Sequence, residues 1–157
     1  MHICTYSASS QTTLQAVWQL WTNIKHWPRW DSQLQSVEMD GAFRQGSTGT
    51  LTYQDGSKKT FSIIKLQVQE SLVLAIAYPH GSELRIKWDL RQNGSEILFD
   101  QEVSISATPF AKLLLRGHKE PLMKSSHNQM QRMLDLLEGE FSPFKDAAAR
   151  GTPRAAL

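Results

Sequence analysis

Cysteine is almost missing from this chain of 157 residues: Cys4 stands alone. That excludes an internal disulfide and metal sites built from paired cysteines. A strong excess of either charge sign is missing too. A formal net charge of +2 at pH 7 is too mild to make nucleic acid a main partner. No apolar run approaches the roughly 18 residues of a membrane span. His2, His26, His80, His118 and His127 form neither an HxH nor an HExxH spacing, so no metal and no cofactor are expected. There is no nucleophile elbow or Cys–His pairing to suggest hydrolase chemistry. The opening MHICTYSASSQ has no apolar segment behind a basic one, so no secretory leader is expected and the expected compartment is the cytoplasm.

Tryptophan, by contrast, is concentrated. Trp18, Trp21, Trp27 and Trp30 fall within thirteen residues, the last two in HWPRWDSQL. Large aromatics grouped this closely either fill a hole or wall one. The surrounding pattern is that of one globular domain, 1–141, with a core of its own. After Phe144 the chain has almost no large apolar residue, so 142–157 reads as a flexible tail.

Hydrophobic spacing sets the order of elements. ICTYSA predicts a short strand. Leu14, Val17, Trp18 and Trp21 recur at intervals of three and four, the face of a helix capped by Ser9 or Ser10. Residues 22–30 predict a second short helix or helical turn, with Pro28 able to sit in a first turn. From about 33 to 106 the period changes to two. Leu84, Ile86, Trp88 and Leu90 alternate with charged residues, and Ile97, Phe99, Gln101, Val103 and Ile105 share one side of the next strand. Asn93-Gly94, Asp55-Gly56 and PHGS (79–82) predict turns, and QGSTG (45–49) a glycine-rich one. Thr108-Pro109 starts another helix, and Gly117 and Pro121 should break or bend the chain. Met123, Met130, Leu134, Leu137 and Phe141 then share one helical face, with Met133 at its margin. The fold class is α+β: a curved antiparallel sheet of six to seven strands wrapped around a long C-terminal helix, with two short helices after the first strand.

AVWQLWTNIKHWPRWDSQLQSVEM followed by FRQGSTGTL resembles the START-like (SRPBCC) superfamily, the helix-grip fold, in its polyketide cyclase/dehydrase branch. The order of elements agrees from Cys4 to about Phe141. The resemblance implies an internal hydrophobic cavity and carries over no catalytic residue. The superfamily holds carriers, receptors, enzymes and co-activators, so fold does not select among them.

Three functions remain open. The first is binding or transport of a small hydrophobic ligand, a lipid, polyketide-like or aromatic molecule, in the cavity. The second is a cyclase, dehydratase or isomerase working by proton transfer. The third is a protein-interaction module without a ligand. The candidate ligand-binding residues are Trp27, Trp30, Tyr53, Trp88, Phe99, Gln101, Met123, His127, Met130 and Leu134. His127 is the candidate acid or base, Gln101 and Tyr53 are polar groups that would orient a ligand, and Tyr78 could also point its hydroxyl inward. The methionines offer an adaptable apolar wall. Lys58, Lys59, Arg85, Lys87 and Arg91 read as a solvated face. FAKLLLRGHK (110–119) is apolar with a basic end, which makes transient membrane contact a further expectation. The expected state is a monomer or weak dimer.

Overall fold

The structure is a computed structural model that describes residues 1–141; the expected tail lies outside the described residues. Seven strands form one antiparallel sheet. They are β1 (His2–Ser10), β2 (Leu34–Met39), β3 (Thr48–Tyr53), β4 (Lys58–Gln67), β5 (Ser71–Tyr78), β6 (Ser82–Asn93) and β7 (Glu96–Ser106). Their spatial order is β1-β7-β6-β5-β4-β3-β2. Hairpins join β2 to β7 in sequence, and β1 closes on β7. Between β1 and β2 lie α1 (Leu14–Thr22), a 3-10 turn (Ile24–His26) and the one-turn α2 (Trp27–Trp30); after β7 come α3 (Pro109–Leu114), a second 3-10 turn and α4 (Lys119–Glu138). This is the helix-grip architecture expected from the sequence.

The central hairpin shows why the sheet has one dry face. β6 and β7 pair residue for residue from Glu83↔Ser106 to Asn93↔Glu96. Leu84, Ile86, Trp88 and Leu90 are buried, and so are Ile97, Phe99, Gln101, Val103 and Ile105. Gly94 makes the tight turn with φ of 63°, a left-handed conformation that costs glycine nothing. Register shifts between His2 and Cys4, Leu34 and Ser36, and Ile63 and Lys65 are bulges of the kind that bend a sheet. The bent sheet holds α4 against β1 and β7, with α1 and α2 packed beside it.

Gly49, in β3, is required by close approach. A β-carbon there would strike the Glu38 carbonyl oxygen and come within 2.7 Å of the Phe61 ring. Backbone in a paired strand cannot move aside, so Gly49→Ala should cost about 1–3 kcal/mol. A urea midpoint unchanged from that of the parent chain would show that the strand yields instead.

Three local expectations are corrected. Ser9 and Ser10 belong to β1; Thr13 caps α1, its Oγ1 accepting from the Ala16 N–H at 3.1 Å. The short helical segment expected over 22–30 is a 3-10 turn followed by α2, with Pro28 in the first turn of α2. Pro121 does not break α4 but sits in its first turn, where a missing N–H leaves no bond unmade. Met133 is fully buried rather than marginal. The core stripe of α4 is Ser126, Met130, Met133 and Leu137, at spacings of four, three and four; Met123 and Leu134 are only partly buried.

Candidate functional site

The tryptophan cluster is built by the end of α1. The last carbonyls of a helix have no partner within it. Here the Trp27 indole N–H donates to the Trp21 carbonyl oxygen at 2.9 Å and the Trp30 indole N–H to that of Leu20 at 3.0 Å. α2 is thereby pinned across the end of α1, and its two indoles turn toward Trp88 of β6. Trp30 meets Trp88 at 5.5 Å between ring centroids and 85° between planes, and Trp27 meets it at 6.2 Å and 81°. The three rings form an aromatic corner.

That corner is one wall of a cavity of about 260 Å³. Leu34, Leu51, Leu74, Ile76, Leu84 and Ile86 supply the apolar sheet side; Pro121, Leu122, Ser125 and Gln129 supply the helix side. Asp31, Tyr53, Lys59, Tyr78 and His118 bring ionisable groups to the same space.

Two polar systems hold these groups. In the first, the Trp88 indole N–H donates to Gln101 Oε1 at 2.6 Å, a bond made across a directly paired β6–β7 position. Gln101 Nε2 donates to Ser126 Oγ at 2.8 Å and to Gln129 Oε1 at 2.9 Å. Gln129 Nε2 donates to Asp31 Oδ2 at 3.2 Å. In the second, the Tyr78 hydroxyl and His118 Nδ1 lie 2.7 Å apart, while the Lys59 ammonium sits 4.7 Å from the Tyr78 ring centroid and 5.6 Å from that of Tyr53, within cation–π range.

Burial dominates the ionisation of these groups. It pushes the Asp31 carboxyl up, against hydrogen bonds from Gln33 and Gln129 and the charge of Arg132. Burial and the Asp31 charge push the Tyr53 hydroxyl well above the usual phenol range. Burial also raises Tyr78 and lowers Lys59. For Asp31 the sign has a testable consequence. The folded chain holds this proton more tightly than the unfolded chain, whose value is near the usual 3.8. The contribution to stability is therefore greatest in acid and is lost as pH rises from there through the raised value. Relative to Asp31→Asn, the parent chain should lose stability across that window. Urea midpoints of both proteins over a pH series measure it, and a pH-independent difference would contradict it.

Of the ten sequence candidates, Trp27, Trp30, Tyr53 and Trp88 meet at this cavity. Gln101 is fully buried and stands one hydrogen bond behind it, reaching the wall through Gln129. Phe99 packs edge-on to Trp21, 6.1 Å away, and Met130 and Leu134 belong to the core and its margin. Met123 and His127 lie elsewhere, on an exterior depression with Tyr6; His127 is exposed and its ring is 5.3 Å from that of Tyr6. An α-helix turns about 100° per residue. With Ser126 facing the core, Ser125 faces the cavity and His127 faces away. Sequence reasoning did not select Asp31, Lys59, His118, Ser125 or Gln129. Lys59 carried a signal, since it is in phase with buried Phe61 and Ile63 on β4. Leu122, Ser125 and Gln129 also repeat at helical spacing. Among the described residues, no three His, Cys, Asp or Glu side chains are grouped as metal ligands.

The family model described as polyketide cyclase / dehydrase and lipid transport matches residues 11–134. CalU16 from Micromonospora echinospora is a similar solved structure: 18% identity, TM-score 0.59, covering 98% of this chain and 86% of that one. Truncated norcoclaurine synthase from Thalictrum flavum is another, at 11% identity and TM-score 0.65, covering 85% and 91%. DynU16, a protein of the dynemicin biosynthetic locus, is 14% identical with TM-score 0.67 over 87% of this chain and 47% of its own; the chain spans about half of that protein's length. At such identities the likeness is one of fold. No match was found among curated protein sequences.

Proposed function

The chain belongs to the polyketide cyclase/dehydrase and lipid-transport family, and from that premise we propose that it binds a compact, ring-bearing, largely apolar molecule in the cavity beneath α4. The observation that carries this reading is the cavity itself, walled by three indoles and strand aliphatics with a few convergent polar groups. Pockets for drug-sized ligands measure roughly 300–1,000 Å³. A volume of about 260 Å³ suits one small ring system and is too small for a lipid with two acyl chains. Burial of the ligand's apolar surface supplies the affinity; Asp31, Tyr53 and the Tyr78–His118 pair orient it.

The enzyme reading has its own support. Asp31, Tyr53, Tyr78 and Lys59 line one cavity and all have shifted ionisation, a combination found at sites of proton transfer. Cyclisation or dehydration of a bound molecule would use Asp31 to move a proton and Tyr53 to hold an oxygen. Native mass spectrometry of the protein purified from its own host, followed by solvent extraction, tests both readings. A stoichiometric apolar adduct supports binding, and its conversion on incubation supports catalysis. A bare mass with no uptake of hydrophobic probes would overturn both.

Membrane contact keeps a physical basis in α3. Phe110 is 71% exposed, Leu113 55% and Leu114 46%, beside Lys112 and Arg116. We expect anionic vesicles to retain the protein and the Phe110→Ser/Leu113→Ser pair to release it. Equal retention of both proteins on sedimentation would remove the basis for this contact.

No helix among the described residues is long and apolar enough to cross a membrane.

A further inference from the structure

The direction of one hydrogen-bond chain sets the character of Asp31. An indole N–H can only donate, so Gln101 must present Oε1 to Trp88 and its amide nitrogen to Ser126 and Gln129. Gln129 then accepts on Oε1 and has only its own amide nitrogen left for Asp31 Oδ2. Asp31 Oδ1 accepts the Gln33 backbone N–H at 3.0 Å. Both carboxylate oxygens are thus approached by donors, the arrangement that suits the charged form. Yet the ion pairs among the described residues are Arg29–Glu140, Arg85–Glu83 and Lys87–Asp89, and none includes Asp31. Arg132 acts on it only through its charge.

Beside this carboxylate stands the corner formed by Trp30 and Trp88, whose planes cross at 85°. An indole in the cavity wall next to a carboxylate that accepts on both oxygens fits a cation. We propose that Asp31 and Trp30 form an ammonium subsite, and that the cavity's ligand is a compact aromatic amine. The inference rests on the reading that this cavity is the ligand site and names the class of ligand. The amine would donate to the spare lone pairs of Asp31 and lie against the Trp30 indole, while the ring fills the apolar sheet side. Lys59 is the competing charge. Its ammonium already lies over the Tyr78 and Tyr53 rings, and a ligand chosen by Lys59 would be an acid instead.

Displacement of the neutral fluorophore N-phenyl-1-naphthylamine from the full chain at neutral pH decides the matter. The competitors are tryptamine, tryptophol and indole-3-acetate, which share a ring and differ in the charge of the side chain. Tryptamine should displace the probe at about a tenth of the tryptophol concentration, and indole-3-acetate should be the weakest. Asp31→Asn should bring tryptamine level with tryptophol, the ratio between the two on one protein being the readout. If tryptophol or indole-3-acetate equals or exceeds tryptamine on the parent chain, the amine subsite is wrong while the cavity reading stands. If none of the three displaces bound probe, both are wrong. Should Asp31→Asn lose tryptophol as well, the variant has lost the cavity and the order on the parent chain decides alone.

Discussion

Trp88→Ala is expected to lower the free energy of unfolding by about 3–5 kcal/mol, a large part of the roughly 5–15 kcal/mol that holds a domain together. The side chain is fully buried. It stacks on Trp21 at 5.4 Å and 15°, and meets Trp27 and Trp30 edge-on. It therefore joins α1, α2 and the centre of the sheet through one ring. Its loss removes those contacts and leaves Gln101 Oε1 without its donor. The new space would open into the existing cavity, so water could enter where an isolated apolar void would stay dry. Trp88→Phe keeps most of the ring and loses the donor, and should cost less. Trp18→Ala provides the comparison, because Trp18 is only partly buried. Urea unfolding with an unchanged slope measures all three. A Trp88→Ala cost no larger than that of Trp18→Ala would mean that the aromatic corner contributes little to the fold.

The stability of this corner and the chemistry of the cavity were not equally legible in the sequence. The paired strands were, because β6 and β7 each bury every second residue along most of their length and no competing pattern fits. The aromatic cluster was visible as composition. Its cause was not: the indoles of Trp27 and Trp30 end the backbone of α1, and a single helical turn has no periodicity to show this. Asp31 was hidden for the same reason, lying just after that turn. Lys59 was misplaced because its charge outweighed its phase, although it shares a strand face with Phe61 and Ile63. On α4 three adjacent stripes differ by one residue: Ser125 and Gln129 toward the cavity, Ser126 and Met130 toward the core, Met123 and His127 toward an exterior depression beside Tyr6. Spacing defines such stripes but not which of them meets which neighbour, so a histidine beside the apolar stripe drew more weight than a glutamine beside it. The Ser9–Ser10 cap failed similarly, since a polar pair that continues β1 looks the same as one that starts a helix.

Gln101→Glu should cost about 3–5 kcal/mol at neutral pH and much less in acid. The substitution barely changes shape, and Trp88 can still donate to the new side chain. What fails is the other end. A carboxylate has no proton to give to Ser126 or to Gln129 Oε1, so Gln129 must turn its amide nitrogen toward position 101. Its carbonyl oxygen then faces Asp31, and an acceptor stands where a donor stood. Two carboxylates would flank one amide at a site with almost no access to water, where an unpaired charge is costly. Protonation of the introduced carboxylate restores a donor aimed at Gln129, and with it the original direction of the chain. The folded-state value of that carboxyl should therefore lie above its unfolded value. Stability is then present in acid and lost as pH rises through the raised value. Gln101→Leu separates direction from mere loss of bonds: it strands the Trp88 N–H at about 1–3 kcal/mol but adds no titrating group, so its deficit should not recover in acid. If Gln101→Glu remains equally destabilised from neutral pH down to the onset of acid unfolding, the polarity of the Trp88–Gln101–Gln129–Asp31 chain is not what holds Asp31 in place.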